Sequence, residues 1–592
     1  MRLVITALVA MGLTGQSVAL PAQSPAPFHS IARFVTDNPA LPTTPLELQG
    51  AVSGVIDGPQ VQRFTIDLQQ GQFAAIRLDQ TGGDLILNLF GPDGKLIEII
   101  DQNTLHETET GIIVAPRTGR YVAQVAQFDA QAGLSAFAIT LTRREPLART
   151  PQGRADQLME TWYDPAHPGA AMVVLKDGKP IYRRTIGLAN VEDRIPITGR
   201  TRFELASVSK QFVGYAAAML IAEGRLSRED DVRKYLPELA DLGATITVGQ
   251  LLDHTSGLRD WDAGLAIAGL TQDRGMTAQN ILDFAARQRS LNFPPGSQQL
   301  YSNTGYMLLG EIVGRVAGQG ADRWMEQKLF GPLGMADTRL NLDPAAVIPD
   351  KALSYEGRTP TIGLASGASS AAGGSTSVLS SLDDLVRWVA NLESGKVGGP
   401  PVLALLAKPA ALPDGQSTGY AFGLWHGTHR GLPSIGHKGL ASGFRTRIER
   451  LPTQRAVIIF LSNDGDDAAY ARSERIEELF LPVAPPPAIE VPTDSPPEPA
   501  APLPPVDLKQ YVGRYWSDEL ATGYEIRVRA GKVEAVHVIN GVINLTRVGP
   551  DRFATGRWYM PELTFHLGAA GKISGFTTGT ETARNMQFRR ID

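Results

Sequence analysis

The chain contains the stretch Phe203-Glu204-Leu205-Ala206-Ser207-Val208-Ser209-Lys210, which continues directly into the apolar segment from Gln211 to Ile221. This is a Ser-x-x-Lys pattern at the start of a predicted helix. Side chains three residues apart lie on one helix face, about 5–6 Å apart at Cβ, so the amine of Lys210 can reach the hydroxyl of Ser207. A serine hydroxyl is a weak nucleophile until a base takes its proton, and an amine kept neutral by burial is such a base. The alternative is that Ser207 only caps the helix.

Two further short motifs follow in the second half of the chain. Tyr301-Ser302-Asn303 precedes a helical run from Met307 to Val316. His437-Lys438-Gly439 lies between the strand-like segments Tyr420 to Trp425 and Phe444 to Leu451. Each motif alone is a weak signal, but their order and local context give the set its weight.

In this order, Ser-x-x-Lys, Tyr-x-Asn and His-x-Gly resemble the three motifs of the serine β-lactamase and penicillin-binding protein superfamily. The resemblance is greatest to its class C branch, which includes DD-carboxypeptidases, D-aminopeptidases and family VIII esterases. It covers about residues 150 to 482 and includes the phrases Leu251 to Leu258 and Gly373 to Thr376. It implies an acyl-enzyme hydrolase without metal or cofactor. The implied substrates are D-amino-acid peptides, including peptidoglycan-derived ones, β-lactams or small esters.

The resemblance also implies roles for five catalytic residues. Ser207 is the expected nucleophile, and Lys210 and Tyr301 are alternative general bases, with a small preference for Tyr301. Asn303 is expected to hydrogen-bond a substrate amide and Lys210. His437 stands where many relatives carry lysine, and its implied role is to assist Tyr301 and polarise the substrate.

The third motif also supplies the expected substrate-binding residues. Gly439 would let a ligand approach the strand closely. The N–H groups of Leu440 and Ser207 are expected to form the oxyanion hole. Lys438 is assigned to the same region, although it replaces the threonine common in relatives, which leaves the binding of a substrate carboxylate open.

Other candidate residues receive different interpretations. Gly415-Gln416-Ser417-Thr418-Gly419 matches a nucleophile elbow, but it leads into a predicted strand where that motif needs a helix. His426 and His429 lack a third ligand, so no metal site is predicted. Arg445 and Arg447 share one face of a strand, which could bind a substrate carboxylate, but the expected role is a solvated face. A catalytically inactive relative that binds penicillin or cell wall is the rival function, and the intact motifs disfavour it.

Composition limits the class of protein. A length of 592 residues predicts three or four domains, and the net charge of -5 gives no reason to expect a nucleic-acid partner. The absence of cysteine excludes disulfides and a cysteine nucleophile. Met1-Arg2, the apolar run Leu3 to Leu13 and Ser17-Val18-Ala19 have the pattern of a secretory signal cleaved near Ala19 or Ala22. That pattern predicts a periplasmic or secreted protein without a transmembrane anchor after cleavage.

The order of patterns predicts a multidomain protein with a central α+β domain. Its hairpin comes first, helices follow, and strands return only after Tyr420, as in an antiparallel sheet built from both ends with a helical subdomain inserted. Short alternating runs predict β domains on either side, which resemble jelly-roll and lipocalin-like accessory modules. The predicted parts are a signal peptide (1–22), a tether (23–45), a β-sandwich (46–146), the hydrolase domain (147–482), a Pro-rich linker (483–505) and a small β-barrel (506–592).

Overall fold

A computed structural model describes residues 40–101, 108–128, 133–271, 276–356, 363–366, 372–466, 468–484, 503–569 and 571–592. The predicted signal peptide, residues 23–39 of the predicted tether and residues 485–502 of the predicted linker lie outside these ranges. Within the described ranges, every helix is too short or too polar to cross a bilayer.

The N-terminal part is a β-sandwich, as predicted. One sheet has the strand order β1-β3-β8-β5-β6 and the other β2-β9-β4-β7. Alternate residues such as Ile66, Leu87 and Leu141 point between the sheets and form their shared core, as the period-2 pattern requires. The strands are β1 (Thr43–Pro45), β2 (Ala51–Ile56), β3 (Val61–Leu68), β4 (Gln72–Thr81), β5 (Leu85–Phe90), β6 (Leu96–Ile100), β7 (Thr108–Val114), β8 (Gly119–Gln127) and β9 (Ser135–Pro146).

The sandwich also packs against the central domain. Phe73 and Ile112, on the outer face of the second sheet, share one buried cluster with Met159 and Trp162 of the first central helix. The two parts are therefore joined by apolar packing as well as by the chain.

The central domain alternates helices with mostly short strands. Its elements are α1 (Pro151–Trp162), β10 (Ala170–Lys176), β11 (Lys179–Ile186), β12 (Leu188–Asn190), β13 (Ile195–Pro196), β14 (Phe203–Glu204), α2 (Lys210–Ala222), α3 (Val248–Leu252), α4 (Trp261–Ile267), α5 (Ala278–Arg287), α6 (Asn303–Ala317), α7 (Ala321–Met325), α8 (Gly331–Leu333), β15 (Arg339–Leu340), β16 (Ser354–Glu356), β17 (Gly363–Ser366), β18 (Val378–Ser380), α9 (Leu382–Ser394), α10 (Gly399–Leu406), β19 (Tyr420–Ala421), β20 (Leu424–His429), β21 (Leu432–Ala441), β22 (Phe444–Leu451), β23 (Ala456–Ser462) and α11 (Ala469–Glu477).

The main sheet is antiparallel and is built from both ends of the domain, as predicted. Its strand order is β11-β10-β23-β22-β21-β20-β19, so the first hairpin pairs with the last strand. Asp177 and Gly178 have φ values of 51° and 70°, the positive values that a two-residue hairpin turn of this type needs. Helices α2 to α10 come between the two ends of the sheet in the sequence.

The expectation that strands return only after Tyr420 was wrong. Strands β14, β18 and β15 form a small sheet beside the serine segment, in which Phe203 pairs with Ser380. Strands of two or three residues are too short to show an alternating pattern, so the sequence carried no periodic signal for them.

The C-terminal part is a closed eight-stranded β-barrel, again as predicted. Its last strand pairs with its first, and Tyr515, Phe565 and Phe576 pack in its interior. Its strands are β24 (Gly513–Ser517), β25 (Thr522–Arg529), β26 (Lys532–His537), β27 (Gly541–Arg547), β28 (Arg552–Arg557), β29 (Met560–Leu567), β30 (Ile573–Thr578) and β31 (Met586–Arg590).

Candidate active site

Ser207 lies in a short 3₁₀ turn, Ala206–Ser209, that leads directly into α2. In a 3₁₀ turn, side chains three residues apart eclipse one another. Lys210, the first residue of α2, therefore stands over the serine, with its Nζ 3.1 Å from Ser207 Oγ. The spacing read from the sequence brings the two groups together through local geometry alone.

Neighbouring strands hold this turn in a strained backbone conformation. Ala206 has φ of +49°, a left-handed value that costs a non-glycine residue about 1–2 kcal/mol. Leu205 compensates through its backbone, because its N–H donates to Val378 O at 2.8 Å and its carbonyl accepts from Thr446 Oγ1 at 2.7 Å. Leu205, two residues before the serine, is therefore fixed by both the small sheet and β22.

The amine of Lys210 has two further partners, and both are carbonyl oxygens. Its Nζ lies 2.7 Å from Asn303 Oδ1 and 2.8 Å from the backbone oxygen of Ser375. Carbonyl oxygens only accept hydrogen bonds. A neutral amine that donates its two hydrogens to them directs its lone pair toward the third partner, Ser207 Oγ.

The protonation state of Lys210 follows from its burial. Burial lowers the pKa of Lys210 from 10.5 to about 7, although the carboxylates of Asp260 and Asp262 oppose the shift. A large fraction of the amine is therefore neutral near neutral pH and able to take a proton from serine.

Tyr301 has the opposite electrostatics. Burial raises the pKa of Tyr301 above its usual value of 10, and the nearby Ser207 hydroxyl offsets this only in part. The Nζ of Lys210 lies 4.7 Å from the centre of the phenol ring, over its face. Within the described residues, the Tyr301 hydroxyl is buried without a hydrogen-bond partner. The phenol keeps its proton at neutral pH, which counts against our sequence-based preference for Tyr301 as the base.

His437 lies on β21, with its ring centre 6.1 Å from that of Tyr301. Its Nδ1 donates to the backbone oxygen of Lys438 at 2.6 Å, because that oxygen can only accept, and its Nε2 therefore accepts from Tyr420 OH at 3.2 Å. Burial, with the nearby charge of Lys210, lowers the pKa of His437 to about 3. The imidazole is therefore neutral at physiological pH.

Lys438 does not join this group, which corrects its assignment to substrate binding. Successive side chains on a strand point to opposite faces, and Lys438 points away from the face that carries His437. Its Nζ lies 3.0 Å from Glu474 Oε1 and 5.2 Å from the ring centre of Tyr470, both on α11.

Gly439 is where β21 comes closest to the serine turn. A Cβ at this position would lie 2.3 Å from Leu205 O, 2.4 Å from Thr446 Oγ1 and 3.1 Å from Ala206 Cβ. Only glycine permits this approach. The next residue, Leu440, is therefore held beside the turn, with its side chain 58% exposed.

Sequence reasoning did not single out Asp260, which supports Asn303. Asp260 is buried and precedes α4, where its Oδ1 accepts from Asp262 N–H at 2.9 Å. Its Oδ2 accepts from the backbone N–H of Asn303 at 2.6 Å, and the Asn303 amide nitrogen lies 3.4 Å from Oδ1. These contacts orient the amide so that its oxygen faces Lys210. The sequence gives no signal for this carboxylate beyond its place just after the phrase Leu251 to Leu258.

His254 belongs to that phrase, and its side chain contacts the Tyr-x-Asn segment rather than its own turn. Its Nδ1 accepts from the backbone N–H of Ser302 at 3.1 Å, and its ring centre lies 4.4 Å from that of Tyr301. Burial lowers the pKa of His254 well below 6.5. This neutral ring supports the Tyr-x-Asn segment from behind.

The remaining candidate nucleophile and metal ligands lie elsewhere. Ser417 is exposed in the loop before β19, where its Oγ accepts from Gly419 N–H at 3.1 Å. His429 pairs with the buried carboxylate of Glu477 at 3.1 Å. Across the part of the chain that the structure describes, there is no cluster of three or more residues suited to hold a metal ion.

Arg445 and Arg447 do share one face of β22, but the expectation of a solvated face was wrong. Arg447 and Glu477 are both 0% exposed and lie 2.9 Å apart. Arg445 is also buried and donates to the backbone oxygens of Ser442 and Gly465. Helix α11 covers this face of the sheet. Two arginines on a strand give no sign in the sequence that a helix will pack over them.

Comparison with known proteins places this site in a family. The beta-lactamase family model matches residues 152–480, more than half of the chain. The D-aminopeptidase of Cereibacter sphaeroides is 28% identical over 311 residues, which cover 52% of this chain and 58% of the relative. Penicillin-binding protein 4* of Bacillus subtilis is 27% identical over 339 residues, which cover 53% of this chain and 72% of the relative.

Solved structures include the D-amino acid amidase from Ochrobactrum anthropi SV3, with a TM-score of 0.47, 23% identity and coverage of 55% of this chain and 97% of the amidase. Among the D-aminopeptidase relatives, the matched region spans 58% of the length of the Cereibacter sphaeroides protein. With its match over more than half of the sequence, the chain belongs to the beta-lactamase family, the β-lactamase and transpeptidase fold.

Proposed function

We propose that the protein is a serine hydrolase that works through an acyl-enzyme on Ser207. The supporting observation is the environment of Lys210: its Nζ lies 3.1 Å from Ser207 Oγ, and its other two partners are carbonyl oxygens. That arrangement gives a neutral amine one direction in which to accept a proton, and that direction is the serine.

In the proposed acylation, Lys210 takes the hydroxyl proton as Ser207 Oγ bonds to the substrate carbonyl carbon. The resulting oxyanion is held by the N–H groups of Ser207 and Leu440. When the intermediate collapses, the bond to the leaving group breaks and that group receives a proton. Tyr301, which keeps its own proton, is the donor we propose, and it is reprotonated from Lys210.

Deacylation reverses the roles with water as the nucleophile. Lys210 takes a proton from water as the oxygen bonds to the acyl carbon, and the bond between that carbon and Oγ then breaks. Lys210 gives that proton to Ser207 Oγ, and the free acid leaves. Asn303 would hold the acyl group for this attack through its amide.

The substrate class we propose is a D-amino-acid peptide or amide, with β-lactams and small esters as further acyl donors. Support comes from relatives named D-aminopeptidase and penicillin-binding protein. Initial rates on a D-alanyl p-nitroanilide, a D-Ala-D-Ala peptide, nitrocefin and a p-nitrophenyl ester would rank the four classes. A rate on the D-alanyl anilide no greater than on its L-enantiomer would contradict the proposed class.

The test of the nucleophile is covalent labelling by a fluorescent fluorophosphonate. We expect wild type to be labelled, S207A to lose the label, and S417A to keep it as the matched serine control. Label that persists in S207A would refute the proposal. Stoichiometric labelling by fluorescent penicillin without turnover of any substrate would support the inactive binding protein instead.

We also propose that the protein is exported, on the basis of the signal pattern at residues 1–22. The expected mature chain begins after Ala19 or Ala22. N-terminal sequencing of protein recovered from the periplasm or culture medium tests this. Full-length protein found only in the cytoplasm would contradict it.

A further inference from the structure

The C-terminal barrel contacts the segment of the central domain that carries Asp260. The loop between β30 and β31 supplies two backbone acceptors: Thr582 O accepts from Asp260 N–H at 2.9 Å, and Arg584 O accepts from Arg259 Nε at 2.8 Å. Asn292 of the central domain also binds this loop: its side-chain amide donates to Thr582 O at 2.9 Å and accepts from Arg584 N–H at 2.9 Å. These contacts hold the backbone of Asp260 and the side chain of Arg259 against the barrel loop.

A buried ion pair joins the same two parts. Arg259 Nη1 lies 2.7 Å from Glu519 Oε1, and their side chains are 1% and 7% exposed. The other side of the guanidinium donates to Ser290 Oγ at 2.8 Å. Removal of one partner of a buried pair leaves an uncompensated charge, so this pair resists separation of the barrel from the central domain.

The contacts continue from Arg259 to the site. The Arg259 backbone oxygen accepts from Thr304 Oγ1 at 2.7 Å, and the next residue, Asp260, accepts the Asn303 backbone N–H at 2.6 Å. Asn303 Oδ1 in turn lies 2.7 Å from Lys210 Nζ. The barrel is thus connected to the catalytic amine through Arg259, Asp260 and Asn303.

We propose that Asp260 is a positioning residue for acyl transfer and that the C-terminal barrel holds it in place. Asp260 orients the Asn303 amide, and the amide oxygen orients the lone pair of Lys210 toward Ser207. This inference rests on the proposed function. It gives the barrel a part in catalysis without any contact between the barrel and the substrate.

The first test is Asp260→Asn in the full chain, assayed with a p-nitrophenyl ester. In wild type, both carboxylate oxygens of Asp260 accept hydrogen bonds from N–H groups. Asparagine would replace one of these oxygens with an NH₂ group, which cannot accept, so the Asn303 amide loses its fixed orientation. We expect kcat to fall about 100-fold, the loss typical of a misplaced catalytic group, with KM within about twofold of wild type.

A pH profile separates this role from a general loss of structure. Asp260 raises the pKa of Lys210 against the effect of burial, so D260N should move the acid limb of kcat/KM to lower pH. The other groups facing the amine stay in place. Asp262 still raises the pKa of Lys210, and burial holds His254 and His437 neutral. The Tyr301 and Tyr306 rings, 4.7 and 6.0 Å from Nζ, keep their protons because burial raises the pKa of each phenol. An acid limb at the wild-type position would contradict the proposed action of Asp260 on Lys210.

The second test addresses the barrel through Glu519→Gln. We expect kcat to fall about tenfold with KM unchanged, because the pair acts on the site only through Arg259 and Asp260. The matched control is Glu562→Gln, which removes the carboxylate of the Arg552–Glu562 pair, 2.6 Å apart and more exposed, on the barrel strands β28 and β29. E562Q should keep the wild-type kcat.

The outcomes separate this inference from the proposed function. Concentrations are normalised to the folded fraction, measured by calorimetry, and if D260N does not fold, E519Q decides. Turnover that requires Ser207 but is unchanged in D260N and E519Q would overturn this inference and leave the proposed function standing. Turnover that persists in S207A would overturn the proposed function.

Discussion

Gly439→Ala tests the proposal that catalysis depends on the close approach of β21 to the serine turn. A Cβ at this position would lie 2.3 Å from Leu205 O, whereas ordinary contacts begin at 3.4 Å. The obstacle is backbone that Thr446 and Val378 already hold, so it cannot rotate away. The strand must therefore move by about 1 Å relative to Ser207, the difference between these two distances.

The size of the effect follows from that displacement. A shift of about 1 Å carries the Leu440 N–H away from the position where the oxyanion forms, and a misplacement of that size costs about 100-fold in rate. In the activation barrier this is about 2.7 kcal/mol. The overpacked strand should also lower the free energy of unfolding by about 1–3 kcal/mol.

The assay is kcat/KM on the best ester or anilide substrate, measured at a temperature where the variants are folded. The matched control is Gly119→Ala in the N-terminal sandwich, where a new Cβ would lie 2.6 Å from Pro92 Cβ. This control should lose stability without losing kcat/KM per folded molecule. If G439A kept kcat/KM within about threefold of wild type, the oxyanion role of this strand would be refuted.

Three other predictions concern protonation and the back of the sheet. The kcat/KM of wild type should rise about tenfold per pH unit up to pH about 7 and then level. Lys210 must lose its proton to act as the base, so its lowered pKa sets the pH at which the profile levels. A flat profile between pH 5 and 9 would contradict this prediction. K438A should leave KM unchanged, since Lys438 lies away from the site. It should lower the free energy of unfolding in urea by at most about 1 kcal/mol, because the pair with Glu474 is partly solvated. A raised KM would restore Lys438 to substrate binding. E477Q should destabilise the protein by up to about 3–5 kcal/mol in the same measurement, because it removes the nearer carboxylate partner of the fully buried Arg447 and leaves only Glu449, 3.7 Å away. An unchanged midpoint would show that the pair is not needed.

Much of the architecture could be predicted because it depends on short-range patterns. The Asp177-Gly178 dipeptide predicts a hairpin turn, and the position of the helices between early and late strands predicts the order of the sheet. The small sheet of β14, β18 and β15 could not be found in this way. Its pairings join residues between 38 (Leu340 with Val378) and 177 (Phe203 with Ser380) positions apart and carry no local period.

Part of the candidate site could likewise be predicted from short motifs, and part depended on the tertiary structure. Three motifs in order were enough to propose Ser207 as the nucleophile and two candidate bases, but not to choose between Lys210 and Tyr301. That choice depends on the pKa of each group, which burial lowers for the amine and raises for the phenol. Lys438 was misplaced because a motif specifies a position along a strand and says nothing of what packs against each face.

By itself, the sequence determined that Ser207 and Lys210 would meet, because three residues on one helical turn are neighbours whatever else the chain does. Only the tertiary structure decided that Asn303, Ser375 and Asp260 surround that amine, and that the C-terminal barrel reaches the segment behind them. The physical reason is that proton affinity and orientation depend on desolvation and on partners distant in the chain. Those are properties of packing, which no local pattern encodes.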